Sequence, residues 1–349
     1  MAGAQQGADT APSELPCVAT VESRSPAAFA PDSSLVALGS VDSAVQLWTR
    51  SDRKVAAVKK GGNSRVVSLA FSPCGRWLAT GDRGKQVRLW DMANQQCVAV
   101  LQMEHAPITA VCFSHDGTQL ITGSNSSEVC VWSTHTHEKL NTLPARVDSA
   151  DSLAMAPCSH LLAVCSLEST PAVELWTTAP ACARVALLFG HKGHVLAVAF
   201  APCGRLLATG SQDGTAKLWD LHTNTDVRTL TGHARPIVAL AFAPNSLYLA
   251  TGSQDTTARL WNVGTGECKA VLMGHANTVA AVAFGANSAL VATGSLDCTA
   301  RVWDTAGCCI ASLPGLNQPV VSVAISPDGG LVTALQVNDQ DSKVRIYDW

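Results

Sequence analysis

Eight times along the chain an aromatic residue closes a short apolar strand: Trp48, Trp90, Trp132, Trp176, Trp219, Trp261, Trp303 and Tyr347, at intervals of 42 to 44 residues. One unit of that length cannot bury its own apolar face and must stack on its neighbours, so the period defines a repeat architecture. Nearly all of the chain is consumed by these units. Little remains outside them to carry chemistry.

Three units are near copies: GSQDGTAKLW (210–219), GSQDTTARLW (252–261) and GSLDCTARVW (294–303). Each follows an alternating run (198–211, 240–253 and 282–295), and each run follows a Gly-His pair, Gly190-His191, Gly232-His233 or Gly274-His275. Within a unit, an alternating apolar segment meets a Pro-Cys-Gly or Pro-Asn-Ser turn. A second alternating segment then meets Gln-Asp-Gly or its equivalent, and a third ends at Trp. Two hairpins give three antiparallel strands, and a segment such as 226–230 or 267–272 supplies a fourth. Small sheets of this kind are covered on both faces by their neighbours, which accounts for a hydrophobic fraction of 47%.

The Gly-His, Thr-Gly-Ser, Asp and Trp recurring at constant offsets resemble the WD40 family of β-propellers over residues 17–349. The resemblance implies an all-β fold, a single ring. It also implies a hydrogen-bonded tetrad in each intact blade: His191, Asp213, Thr209 and Trp219; His233, Asp255, Thr251 and Trp261; His275, Asp297, Thr293 and Trp303. A trio that occurs three times reads as blade architecture rather than as an acid-base pair of an active site.

The remaining units depart from the pattern. The first keeps Asp42 and Trp48 but has Leu38 at the Thr position; the second keeps Thr80 and Trp90 but has Gly84 for Asp. The third keeps His105, Thr122 and Trp132 with Ser126 for Asp, and the fourth keeps only the strands and Trp176. The eighth has Thr333, Asp341 and Tyr347. Blades 5 to 7 are therefore expected to be the most stable, and the second blade, without its His and Asp, to have loops free to adjust. The chain stops two residues after Tyr347, while the strand-like run CVATVE (17–22) has no partner in its own unit. Pairing that run with the last blade closes the ring and removes two exposed edges. This count gives eight blades, with seven, the commoner number in the family, as the alternative.

Residues 1–16 are rich in Ala, Gly, Pro and polar groups and are expected to form a disordered tail. No leader-like segment opens the chain and no apolar run approaches membrane-spanning length, so a cytoplasmic or nuclear location is expected rather than secretion. A formal charge of −3 gives no global pull toward nucleic acid or anionic lipid. Thirteen cysteines include no Cys-x-x-Cys pair and are expected to be reduced thiols buried on strands. No phosphate loop, zinc spacing or nucleophile elbow occurs, and no cofactor or metal is implied.

These observations, with the resemblance, point to a non-enzymatic interaction scaffold that binds proteins or peptides. A substrate receptor or signalling subunit of a larger complex, such as a ubiquitin ligase, is the alternative, and a propeller-based enzyme the remote one. In the family, partners dock on the face bearing the Gly-His loops. The matching positions name Arg65, Arg83, Val67, Thr109, Asp151, His194, Leu196, Gln212, Gln254 and Leu296 as candidate contacts. Arg65 and Arg83 fall on one blade of an otherwise almost uncharged collar, which suggests an acidic or phosphorylated ligand segment.

Overall fold

In the computed structural model the described residues are 13–22, 27–39, 44–59, 64–126, 128–147, 152–166, 171–178, 181–314, 316–336 and 343–348. Alternating segments separated by tight turns become strands, and the strands form eight sheets. In chain order the blades are 27–59, 66–102, 108–143, 153–189, 195–230, 237–272, 279–312 and 320–348. First strands of consecutive blades lie against one another around the ring, with 320–325 against 27–29 closing it.

Blade 5 shows how the sequence is used. Val195–Phe200, Leu206–Ser211, Ala216–Asp220 and Thr225–Leu230 pair antiparallel in that order. The second and third strands are buried almost throughout, whereas the fourth is exposed except at its last residue. Small residues let blades approach closely. A Cβ built on Gly210 would lie 2.7 Å from Ile237 Cγ2 of the next blade, so the Thr-Gly-Ser glycine is a contact point between sheets.

On the opposite face, three serines occupy a left-handed turn position that is glycine in sister blades: Ser33, Ser246 and Ser288, with φ of 61°, 60° and 59°. Their hydroxyls offset that strain by accepting backbone N–H groups across the blade boundary, from Asp328 (3.1 Å), Cys203 (3.0 Å) and Asn245 (3.1 Å). The boundary between blades 8 and 1 also carries ion pairs from Arg50 to Asp328 and from Arg53 to Asp348.

Cys17–Glu22 pairs antiparallel with Lys343–Asp348, placing both ends of the ring in one sheet. The picture of four strands per blade needs one correction. Ser13–Glu14 adds to blade 7 as a fifth strand, parallel to Cys309–Ser312. The segment 13–16 is thus ordered where a disordered tail was expected, because Leu15 packs against the apolar cluster of Ala311, Leu313 and Val320. The rest of that expectation, on residues 1–12, lies outside the described residues. The thiol expectation is corrected too. None of the thirteen cysteines is in a disulfide, yet only Cys130 and Cys165 are buried; Cys74, Cys158 and Cys203 sit on exposed turns and Cys97 and Cys268 on outer strands.

Candidate functional site

The three near-copy units build the same polar chain. In blade 6 the Trp261 Nε1–H donates to Thr251 Oγ1 (3.0 Å), the Thr251 hydroxyl donates to His233 Nε2 (2.7 Å), and His233 Nδ1–H donates to Asp255 Oδ2 (2.8 Å). Blade 5 repeats it through Trp219, Thr209, His191 and Asp213 at 2.9, 2.7 and 3.0 Å. Blade 7 repeats it through Trp303, Thr293, His275 and Asp297 at 2.8, 2.8 and 3.1 Å. A member not singled out in the sequence is the threonine two residues after each Asp. Thr215, Thr257 and Thr299 donate to the second carboxylate oxygen at 2.6, 2.7 and 2.6 Å. Its recurrence at a constant offset was the available signal.

The direction of donation requires a neutral imidazole and an ionised carboxylate. Burial holds all three histidines below the usual value, against the pull of their carboxylate partners. Burial pushes the carboxyls up, but hydrogen bonds from the threonines, the histidines and the Lys192, Ala234 and Ala276 amides outweigh it. Asp213 and Asp255 are brought to about 2, and Asp297 is also lowered. The imidazoles are enclosed, with side chains 1%, 0% and 0% exposed. Such groups rigidify a blade and offer nothing to a substrate.

Elsewhere each blade answers its lost tetrad differently. In blade 2, Trp90 still donates to Thr80 (3.1 Å), while Arg88 forms a buried ion pair with Asp82 (2.9 Å) and bonds Gln86 (2.6 Å). Asp82 Oδ1 also accepts the Gln86 N–H (3.0 Å). The expectation of freer loops in blade 2 is therefore corrected, since this network ties the top turn down. In blade 3, His105 is not a tetrad member. Its register is shifted by one, its side chain is 60% exposed and pairs with Glu128 (2.9 Å), and Met103 sulfur takes the Thr122 hydroxyl instead (3.4 Å). Blade 4 has Val164 at the Thr position, and Glu174 accepts the Trp176 N–H (2.8 Å). In blade 1, Leu38 offers no acceptor and Trp48 Nε1 is buried without a partner among the described residues. Asp42 and Asp341 lie outside the described residues.

The candidate contacts fall into two sets. Val67, Arg83 and Thr109 come together with Pro107, Ile108 and Asn125 around an open recess of about 400 Å³ between blades 2 and 3. Thr109 is held there by its hydroxyl, which donates to Gly123 O (3.2 Å) and Val147 O (2.6 Å). Arg65 is half-buried and does not line the recess, but its carbonyl accepts the Arg83 N–H (3.0 Å) and so positions that turn. Two arginines side by side at the channel mouth are thus reduced to one exposed guanidinium, Arg83. Asn125 and Pro107, which occupy the matching top-face positions of blade 3 in the sequence, complete the lining. His194, Leu196, Gln212, Gln254 and Leu296 do not join the recess. Leu196 lies in the first strand of blade 5 and the others at its entry or on the top turns of blades 5 to 7, where the Gln212, Gln254 and Leu296 N–H groups donate to the carbonyls of His194, Pro236 and Thr278 (2.9, 3.0 and 3.0 Å). Asp151 lies outside the described residues.

Among the described residues no group of three or more His, Cys, Asp or Glu side chains is placed to hold a metal ion. No helix there is long and apolar enough to cross a membrane.

A ring of small antiparallel sheets with Trp-Thr-His-Asp chains defines the molecule as a WD-type β-propeller. The family model "WD domain, G-beta repeat" matches residues 95–133, 182–220, 224–262, 266–304 and 307–348, and the chain belongs to that family. A second model, the WD40 domain of anaphase-promoting complex subunit 4, matches residues 27–109. These models reach seven of the sheets, which corrects the expectation of eight blades toward its alternative of seven family units. The sheet they leave out is blade 4, whose first three strands fall between matches. Curated relatives match over short stretches. Small ribosomal subunit protein RACK1 of Schizosaccharomyces pombe is 48% identical over 12% of this chain and 13% of its own length. COMPASS component SWD1 of Saccharomyces cerevisiae is 35% identical over 25% and 19%, and a guanine nucleotide-binding protein subunit beta of Arabidopsis thaliana 43% over 17% and 15%. The matched stretches therefore span less than a fifth of these relatives. The C-terminal WD40 domain of Sif2 superposes with a TM-score of 0.84 at 18% identity, covering 96% of this chain and 98% of that one. The computationally designed Ika8 protein gives 0.79 at 23%, covering 97% and 100%. These two likenesses concern the fold.

Proposed function

We propose that the ring is a non-enzymatic scaffold that holds a protein partner on the face of the Gly-His loops, and that the recess between blades 2 and 3 grips an acidic or phosphorylated segment of it. The observation that carries this reading is the recess itself. One exposed arginine stands at a mouth with an apolar floor of Val67, Pro107 and Ile108, beside the polar rim of Thr109 and Asn125. A guanidinium beside an amide suits a carboxylate or phosphate, and the floor suits a flanking apolar side chain. The Arg65 carbonyl and the Asp82–Arg88 pair beneath the turn reduce the cost of ordering it on binding.

Membership of a larger assembly is consistent with relatives named as a ribosomal-subunit protein, a complex component and a G-protein subunit. A cytoplasmic or nuclear location goes with this reading. The test is affinity capture from native tissue with wild-type protein and with a folded Arg83→Glu variant. Partners held through the recess should be lost with the charge reversal, and the Arg65→Glu/Arg83→Glu double variant should add little. Retention of every partner at unchanged affinity places the contact elsewhere.

A further inference from the structure

Outer strands of a propeller expose unpaired N–H and C=O groups, and most here are guarded by charge. Lys54–Lys59 has a lysine at each end, Lys139–Leu143 begins with one, Thr225–Leu230 carries Asp226 and Arg228, and Cys268–Leu272 carries Lys269. That of blade 7 is covered by the chain itself, through Ser13–Glu14. A fifth strand is thus compatible with this ring. The outer strand of blade 4, Ala183–Phe189, is different. Its one charged residue, Arg184, is turned back onto its own sheet, with Nη1 3.9 Å from Glu174 Oε1 and Cζ 5.8 Å from the centre of the Trp176 ring. Arg184 keeps 48% of its side chain exposed, and the apolar side chains left outward beside it are Val185 at 54% and Phe189 at 57% exposure. Gln96–Gln102 of blade 2 is also free of charge, but glutamines cap both its ends and its exposed apolar side chains are two valines.

We propose that this edge pairs with the same edge of a second copy of the chain, joining two blade 4 sheets across a two-fold axis. The segment is self-complementary when run antiparallel. With Leu187 on the axis, Ala186 faces Leu188 of the copy, and Val185 faces Phe189 of the copy on both sides. Arg184 then lies opposite Gly190 of the copy, so no like charges meet. The ladder is irregular between Arg184 and Ala186, so regular pairing runs over Ala186–Leu188 and the exposed Val185 and Phe189 flank it. A contact this small belongs to the weak class of interfaces. It sits on the rim of the ring and leaves the recess of blades 2 and 3 open to a partner.

Sedimentation velocity on the full chain, from about 1 to 200 µM, the range in which so small an interface associates, should show the weight-average mass rising from one chain toward two. The variant Val185→Lys/Phe189→Lys should stay at the single-chain mass at every concentration. Both side chains are exposed, so its melting temperature should match wild type. Val98→Lys/Val100→Lys, on the other uncharged edge, should associate like wild type. A wild-type chain that remains single at the highest concentration overturns the proposal. So does association that survives the blade 4 lysines, or that is lost only with the blade 2 lysines.

Discussion

Replacing Thr251 by valine tests the polar chain at its hub. Valine has nearly the shape of threonine, so packing is retained while the hydroxyl is lost. Two groups then lose their partner, the Trp261 N–H at 3.0 Å and His233 Nε2 at 2.7 Å. Trp261 is 2% exposed and the His233 side chain 0%, so water does not replace the hydroxyl. Each buried orphan costs about 1 to 3 kcal/mol, and with partial relaxation the variant should lose about 2 to 4 kcal/mol. Scaled by the entropy of unfolding for a chain of this length, that is a fall of about 3 to 6 °C in melting temperature, measurable by calorimetry or tryptophan fluorescence.

Blade 4 supplies the control. There Val164 already stands at the threonine position, and Glu174 accepts the Trp176 N–H at 2.8 Å. Arg259 holds the place of Glu174 in blade 6, since it pairs with Thr251 as Glu174 pairs with Val164. Thr251→Val/Arg259→Glu should therefore recover about 1 kcal/mol, the worth of one hydrogen bond, while His233 remains unsatisfied. A Thr251→Val protein within about 0.5 kcal/mol of wild type, the ordinary range of a surface substitution, refutes the reasoning. A double variant less stable than the single one refutes the transfer.

His233→Ala should cost about 1 to 3 kcal/mol, whereas His105→Ala, which removes only an exposed contact with Glu128, should cost under about 1 kcal/mol; equal losses in urea melts contradict the assignment. Acid should destabilise the ring in two stages. The buried histidines bind protons less readily folded than unfolded, so stability falls as pH drops below about 6.5. Asp213 and Asp255, folded near 2 against 3.8 in the unfolded chain, add a second loss as pH falls from about 4 toward 2; a melting temperature unchanged from pH 7 to 5 rejects the first stage. In blade 2, Asp82→Ser strands the buried Arg88 charge and should cost about 3 to 5 kcal/mol, while Asp82→Ser/Arg88→Cys, the pair present in blade 3 as Ser124 and Cys130, should cost less than the single change in the same denaturation assay.

Much of this architecture was legible because it is written several times. A Trp at constant spacing, a threonine ten residues before it and a Gly-His pair ahead of both reveal their roles by recurring in blades 5 to 7, where the same bonds form three times over. Solutions used once were not legible. Nothing in GDRGKQVRLW distinguishes Asp82 and Arg88 as a buried pair from two exposed charges, and only the packed ring shows side chains 3% and 7% exposed. His105 misleads until its spacing is counted: it stands 27 residues before Trp132, against 28 in each intact unit, and that one residue of register moves its ring from the tetrad to the surface. The fifth strand of blade 7 was illegible because Ser13–Glu14 has no strand propensity to speak of and is ordered by Leu15 finding an apolar cluster from 300 residues away.

The decay of the pattern has a consequence for where recognition resides. Repeats 5 to 7 present near-identical turns, Gln212, Gln254 and Leu296 being joined to their blades by the same backbone bond, so that arc offers a partner a periodic and weakly polar surface. Discrimination between ligands needs groups that are not repeated. Arg83 is such a group, and its turn is also the one whose tetrad was exchanged for an ion pair. Were that exchange only a loss, the turn would be loose and would surrender binding energy when ordered. Instead Asp82 anchors both Arg88 and the Gln86 amide, while the Arg65 carbonyl holds the Arg83 amide, so the charged residue that lines the recess is presented on a braced turn. A blade that loses the common network but gains a private one keeps the rigidity a scaffold requires and acquires an individual surface. On the function proposed above, blade 2, rather than the regular arc, is where a partner's chemistry would be read.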